Sequence, residues 1–167
     1  ELERKINHNL YLAHSLSTLA VIKGRANKVS ETYKIIEESI GLLDRYKLEM
    51  VRTPIYLNVS DAYLNINDFI NSEKYGLKAL ASAKTTKNPN LIKDIWKALY
   101  KLHEKKKDYK QALNAYEKYT FLKDSLVNNS RKLEVSRRQI QFEADKEKLV
   151  AQNEAEHQKT LATASIA

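Results

Sequence analysis

When the chain is slid along itself so that Leu16 falls on Tyr56 and Tyr56 on Trp96, large apolar positions meet large apolar positions. Leu19, Val59 and Leu99 coincide in the same shift. Val29, Phe69 and Tyr109 follow, then Thr32, Ser72 and Ala112, then Ser39, Ala79 and Tyr119. A fixed period of this length marks a repeat architecture, in which each unit buries its apolar face against its neighbours. Two antiparallel helices per unit account for it. The first helix offers a large side chain and, a turn later, a second apolar one. The second places a small residue where the two backbones come closest. Thr32, Ser72 and Ala112 are predicted to be those small residues.

The pattern predicts helices over 2–24, 28–47, 51–66, 69–85, 89–106, 109–123 and 126–160. Asn88-Pro89 reads as an N-cap followed by proline in the first turn, and Thr53-Pro54 reads the same way. Gly24 to Asn27, Asn67-Asp68 and Lys107-Asp108 break the pattern inside the three repeats. No segment alternates with period two over β-branched residues, so no sheet is expected. The fold class is therefore all-α: three antiparallel helical hairpins within 1–125, then an extended polar helix over 126–167. In that tail Leu126, Leu133 and Ile140 fall seven apart, and Val135, Phe142 and Leu149 do so on nearly the opposite side. A coiled-coil seam needs two adjacent stripes, so the tail is expected to be an exposed helix that dimerises weakly. The Ala-rich end, 161–167, reads either as the approach to a membrane span or as an ordinary frayed terminus.

Composition agrees with long helices. Three glycines and two prolines in 167 residues are too few for the many turns of a sheet protein. Cysteine is absent, which excludes disulfides, thiolate catalysis and Cys-ligated zinc. The formal charge is +8, and from Arg131 onward seven Lys/Arg face six Asp/Glu, so the excess lies in the array. Lys101, Lys105, Lys106, Lys107 and Lys110 form its densest cluster. No aromatic or Gly-rich nucleic-acid motif accompanies them. A solvated helix end fits them better than a nucleic-acid patch. No stretch approaches the ~18 apolar residues of a membrane span, and no signal peptide is visible. The chain starts at Glu1 and its one methionine is Met50, so a piece of a longer protein is expected.

The segment Trp96 to Tyr116 resembles a tetratricopeptide repeat, with Trp96, Leu99, Tyr109, Ala112 and Tyr116 at the signature spacing. Tyr56, Ser60, Tyr63, Phe69 and Ala79 match in repeat two, and Leu16, Leu19 and Ala20 in repeat one. The departures are Tyr100 in place of a small residue, Gly76 and Ser72 as weak helix formers, and a 40-residue period where about 34 is usual. The resemblance covers 13–125. A narrower one begins at Asp108-Tyr-Lys-Gln-Ala-Leu and runs through Tyr116-Glu-Lys-Tyr and Leu122-Lys-Asp-Ser-Leu126. That stretch, followed by a charged helix, looks like the extracytoplasmic part of bacterial signalling proteins. In those proteins tetratricopeptide repeats precede a helical linker, a membrane span and a histidine kinase or helix-turn-helix output domain. The resemblance implies a sensor region on the periplasmic side of an inner membrane.

Chemistry is sparse. None of His8, His14, His103 and His157 is spaced i, i+4 for a metal, so no metal site is expected. His14 and His103 read as packing or groove residues. Carboxylates are scattered among Lys and Arg, and no Gly-rich phosphate loop exists. No catalytic residue, cofactor or enzymatic activity is expected of this region. Asn58-Val-Ser60 and Asn128-Asn-Ser130 match the glycosylation acceptor pattern inside predicted helices. Tyr56, Tyr63, Tyr109, Tyr116 and Tyr119 are expected in the core, where a hydroxyl can reach the edge.

The remaining candidate is a groove lined by the first helix of each hairpin. By the family's register its positions are His14, Ser17 and Val21 in repeat one. They are Leu57, Asn58, Asp61 and Asn65 in repeat two, and Lys97, Lys101 and Lys105 in repeat three. Of the Lys, Arg and Asn set by which one family subset grips a C-terminal carboxylate, Asn58 alone matches. Ser17, Val21, Asp94 and Ala98 depart from it. The expected partner is a peptide or protein, with a possible homodimer through the C-terminal helix, no nucleic acid, and membrane contact only through segments outside this chain. The expected function is a binding sensor of a membrane-anchored two-component protein. The alternatives are a cytoplasmic peptide receptor of a transcription regulator and a structural scaffold.

Overall fold

The computed structural model describes the backbone of residues 2–164 and the side chains of residues 8–153. Among them there is no strand; the chain is helical and repeat-like. Six helices follow one another: α1 (Leu2–Arg25), α2 (Val29–Arg45), α3 (Glu49–Asn65), α4 (Phe69–Thr86), α5 (Pro89–Lys105) and α6 (Tyr109–Ala164). Two compact units divide the chain, Glu1–Lys123 and Asp124–Ala167.

The repeat has a finer grain than the hairpin. Helices α2 to α6 begin at Val29, Glu49, Phe69, Pro89 and Tyr109, so every helix, and not only every second one, starts at a constant interval. Two positions before each start stands a residue with left-handed backbone: Asn27, Lys47, Asn67, Lys87 and Lys107, at φ between 49° and 62°. Four of these turns close alike. The amide of the next residue donates back five positions, Lys28 to Lys23, Leu48 to Leu43, Asp68 to Tyr63 and Asp108 to His103, at 2.9–3.1 Å. This is the Schellman closure, which satisfies carbonyls that a helix end otherwise leaves open. The following helix is then capped by Asp68 (to the Asn71 amide), Asn88 (to Asn90 and Leu91) or Asp108 (to Gln111). Lys28 and Leu48 stand at the N-cap position without a side-chain cap.

Two boundaries differ from the sequence reading. Helix α3 begins at Glu49, so Thr53 and Pro54 lie inside it rather than at its start. Thr53 is buried and shares a 2.7 Å hydrogen bond with Ser82 on α4. Inside a helix proline lacks a donor to the preceding turn and its ring crowds the carbonyl four residues back, a cost carried in α3 while Thr53 packs on α4. Second, α6 runs on without a break at 124–125. The change there from apolar to polar composition records a change in burial, and nothing in Lys123-Asp124-Ser125 interrupts a helix.

In the first unit α1 packs on α2 and α3, α2 on α3, α3 on α4 and α5, and α4 on α5. Ile36, Leu43, Ile55 and Val59 centre one core cluster, and Ile95, Leu99 and Leu102 centre the next. Thr32, Ser72 and Ala112 are all buried, as the repeat requires. Small polar residues in these contacts bond to the facing backbone: Ser39 to the Ala13 carbonyl at 2.8 Å and Ser60 to the Ser72 carbonyl at 2.7 Å. A hydroxyl so placed is satisfied without holding the helices apart. Tyr63 is buried and Tyr56 and Tyr119 half-buried, but Tyr109 and Tyr116 are 70% and 45% exposed, against expectation. They stand where α4 carries Phe69 and Gly76, a side that α4 turns toward α5. No described helix follows α6 to cover it.

In the second unit every described side chain is exposed except Leu126, including both stripes of seven-residue spacing beyond it. Arg138 pairs with Glu134 at 2.6 Å one turn away, as an exposed helix allows. The Ala-rich end lies outside the residues whose side chains are described.

Glycine separates close packing from open surface. A Cβ on Gly24 would stand 3.0 Å from the Ala62 carbonyl oxygen and 3.2 Å from the Asn65 Cβ on α3. One on Gly41 would meet nothing within 4 Å. Gly24→Ala is therefore expected to lose about 1–3 kcal/mol through forced separation of α1 and α3. Gly41→Ala is expected to gain about 0.5–1 kcal/mol from helix entropy. Urea unfolding of both variants checks the pair, and a gain at Gly24 would contradict the close approach.

Candidate functional site

Helices α1, α3 and α5 end at Arg25, Asn65 and Lys105, which occupy the same position in successive repeats. Their last turns enclose a cavity of about 340 Å³. Arg25 enters from α1, Asp61, Leu64 and Asn65 from α3, and Lys101, Glu104 and Lys105 from α5. Repeat register explains the convergence. Each of these helices presents the same final turn to the same place.

The charges in the cavity are unevenly committed. Lys105 Nζ lies 3.4 Å from the Leu64 carbonyl oxygen, near the end of α3, where a cation opposes the negative end of the helix dipole. Glu104 accepts a 2.8 Å hydrogen bond from the Tyr100 hydroxyl. Among the described residues, Arg25 and Lys101 form no direct ion pair, whereas Lys23, Lys93 and Lys106 do. Asp61 is half-buried. Burial pushes its carboxyl above the usual range, and the nearby Lys101 and then Arg25 pull it back only in part. The cavity thus holds two cations without a direct ion pair that could meet an anionic group, the Asp61 carboxylate near both of them, and the Asn65 amide that can donate or accept.

Of the groove residues read from the sequence, Asp61, Asn65, Lys101 and Lys105 meet in this cavity. Leu57 is half-buried against the second core cluster. Asn58 bridges helices, donating from Nδ2 to Ser17 Oγ at 3.0 Å and Thr18 Oγ1 at 3.3 Å. Those bonds also tie down the side chain of the Asn58 acceptor pattern, and Ser60 is buried. Lys97 stands apart, its ammonium 5.9 Å from the centre of the Tyr119 ring. Ser17 and Val21 are buried, Ser17 beneath the Asn58 amide of α3. His14 is exposed and His103 buried. Arg25 and Glu104 were not among the candidates. The register held the signal for Arg25, since Asn65 and Lys105 occupy its place in the next two repeats. Among the described residues no group of three His, Asp or Glu could hold a metal, and no helix is long and apolar enough to cross a membrane.

Asp61 gives a pH test. Its proton is held more tightly in the fold than in the unfolded chain, so ionisation costs stability as pH rises through the folded-state pKa. Asp61→Asn removes that cost. The variant is expected to resist urea better than the parent at pH 7, and the advantage should shrink below about pH 4, where the acid is protonated in both states. An advantage of the same size under neutral and acidic conditions would assign the effect to something other than the charge.

Comparison of the chain with family models, with curated proteins and with solved structures finds no significant match.

Proposed function

We propose that the first unit is a tetratricopeptide-like solenoid of three hairpins that binds a peptide or protein segment, and that the chain is a sensor or interaction region of a bacterial membrane-anchored signalling protein. The observation that carries the binding reading is the cavity at the ends of α1, α3 and α5. Side chains one repeat apart converge there, with Arg25 and Lys101 lacking direct ionic partners among the described residues. Fixed polar groups in a concave site orient an extended ligand. The arrangement is read as a binding site, because its cations, carboxylates and amide are placed to pair with a polar ligand. The signalling reading is supported by the resemblance at the last repeat and by α6, which carries residues of both units in one unbroken helix. A ligand would act by biasing two arrangements of that helix, to the extent of its differential affinity for them. A structural scaffold is the second reading, favoured by the exposed Leu133, Ile140 and Phe142 on the tail.

Three measurements separate these. The reading frame beyond Ala167 is expected to encode an apolar span of about 20 residues; its absence removes the membrane-anchored version. Peptides selected on the parent chain are expected to bind the Arg25→Glu/Lys101→Glu variant at least about tenfold more weakly by calorimetry, a loss of about 1.4 kcal/mol. Unchanged affinity rules out the cavity. Light scattering with and without residues 126–167 addresses the scaffold, which requires a dimer in the first case and a monomer in the second.

A further inference from the structure

The second and third repeats differ at one place in a way that leaves room for a ring. In repeat two, Tyr75 of α4 packs between two aromatic side chains of α3. Its ring centre lies 5.8 Å from that of Tyr56 and 5.7 Å from that of Tyr63, stacked on the latter at 23°. The Lys78 ammonium stands over the Tyr75 and Tyr56 rings at 5.0 and 5.5 Å. One repeat later, the same four positions hold Trp96, His103, Ala115 and Lys118. The aromatic pair is kept in altered form, and the cation is kept, with Lys118 4.2 Å from the Trp96 ring centre. The tyrosine between them has become alanine. A cavity of about 190 Å³ lies there, with Trp96, His103, Ala115 and Lys118 all in its lining.

His103 is the second observation. It is 8% exposed, and its Nδ1 is enclosed with no protein group in hydrogen-bond reach. An orphaned buried polar atom of this kind lowers the stability of the fold. Packing alone does not account for it, because an apolar side chain of similar size would fill the space without that cost. Gln111 and Asn114 add side-chain amides to the lining, and Leu77 and Leu99 add apolar walls. Glu73, ion-paired with Lys106 at 2.6 Å, completes the lining. The cavity therefore offers an aromatic and apolar body with a polar edge.

We propose that this cavity binds a phenol: a single aromatic ring with a hydroxyl, lying between Trp96 and His103 where repeat two places the ring of Tyr75. The size is suitable, since cavities of about 150 Å³ take a benzene ring. Ring stacking and the cation over Trp96 would favour an aromatic ligand over an aliphatic alcohol. The hydroxyl would pair with His103 Nδ1, as donor or acceptor according to the tautomer. The ring could belong to a free small molecule or to a tyrosine side chain of a peptide. The inference does not depend on the Arg25 cavity, which lies elsewhere in the first unit and fails or stands by other measurements.

Trp96 is the one tryptophan in the chain, so tryptophan fluorescence reports on the surroundings of this ring. Titration of the full chain with 4-methylphenol is expected to give a saturable change in emission. N-acetyltyrosinamide in a parallel titration distinguishes the sources: tighter binding than 4-methylphenol assigns the site to a peptide tyrosine, weaker binding to a free phenol. Toluene, which lacks the hydroxyl, is expected to bind the parent at least about threefold more weakly, the loss of one net hydrogen bond. His103→Phe should erase that preference. Ala115→Tyr restores the ring of repeat two and is expected to abolish the response and raise the melting temperature. Should that variant fail to fold, Ala115→Leu tests the same blockage with a smaller side chain. No saturable response to either phenol up to its solubility limit, or an equal response in a folded Ala115 variant, overturns the proposal.

Discussion

The structure depends on helices approaching each other through small side chains. Gly24 sits so close to α3 that one added carbon would press on the Ala62 carbonyl, and a Cβ on Gly76 would stand 2.9 Å from Leu99 Cδ2 on α5. Ser39 and Ser60 occupy similar contacts and give their hydroxyls to the opposing backbone. Such contacts hold only if each helix presents its small residue at the right height. The constant interval between helix starts does this, since every helix and turn then returns the chain to the same phase. The turn is fixed by one left-handed residue and, at four of the five, by one backbone bond reaching back into the preceding helix, so it needs no particular side chain.

Constant phase also explains where open space appears. Arg25, Asn65 and Lys105 share one register position, and the cationic cavity forms because all three final turns arrive together. Tyr75 and Ala115 share another, and the smaller cavity forms because the two differ in volume. One site comes from what the repeats have in common and the other from a departure. In a packed interior a smaller side chain is not easily made up for by relaxation, so alanine at the position of Tyr75, among neighbours that have also changed, leaves open space beside Trp96 and His103.

The same register decides what could be read from the sequence. The period of the hairpins, the buried Thr32, Ser72 and Ala112, and the cap at Asn88-Pro89 were legible, because volume and capping chemistry write themselves into residue type. The shorter interval from helix to helix was not. Its turns use asparagine and lysine in left-handed backbone, where glycine would have announced them. Pro54 pointed to a helix start that burial of Thr53 against Ser82 overrode. The break expected near residue 125 confused the loss of a buried face with the loss of a helix. Within the site, Asp61, Asn65, Lys101 and Lys105 followed from register. Asn58 lies outside that cavity, its amide bonded to Ser17 and Thr18 of the neighbouring helix. The smaller cavity was invisible to pattern alone, since alanine at 115 is an ordinary core residue until its counterpart is seen stacked on Tyr63.

The two cavities also differ in what holds their polar groups ready. At the helix ends, water still reaches Arg25 and Lys101, so leaving them unpaired costs little and a ligand must compete with hydration to gain much from either. At His103 the nitrogen is already stripped of water, and any partner that reaches it recovers a cost the fold has met in advance. The cationic site therefore suits a broad, salt-sensitive contact assembled from many weak terms. The smaller one suits a small ligand read by shape and a single hydrogen bond. Both lie in the first unit, where the helices pack on one another. The second unit has no such frame among its described side chains, which face solvent along its length.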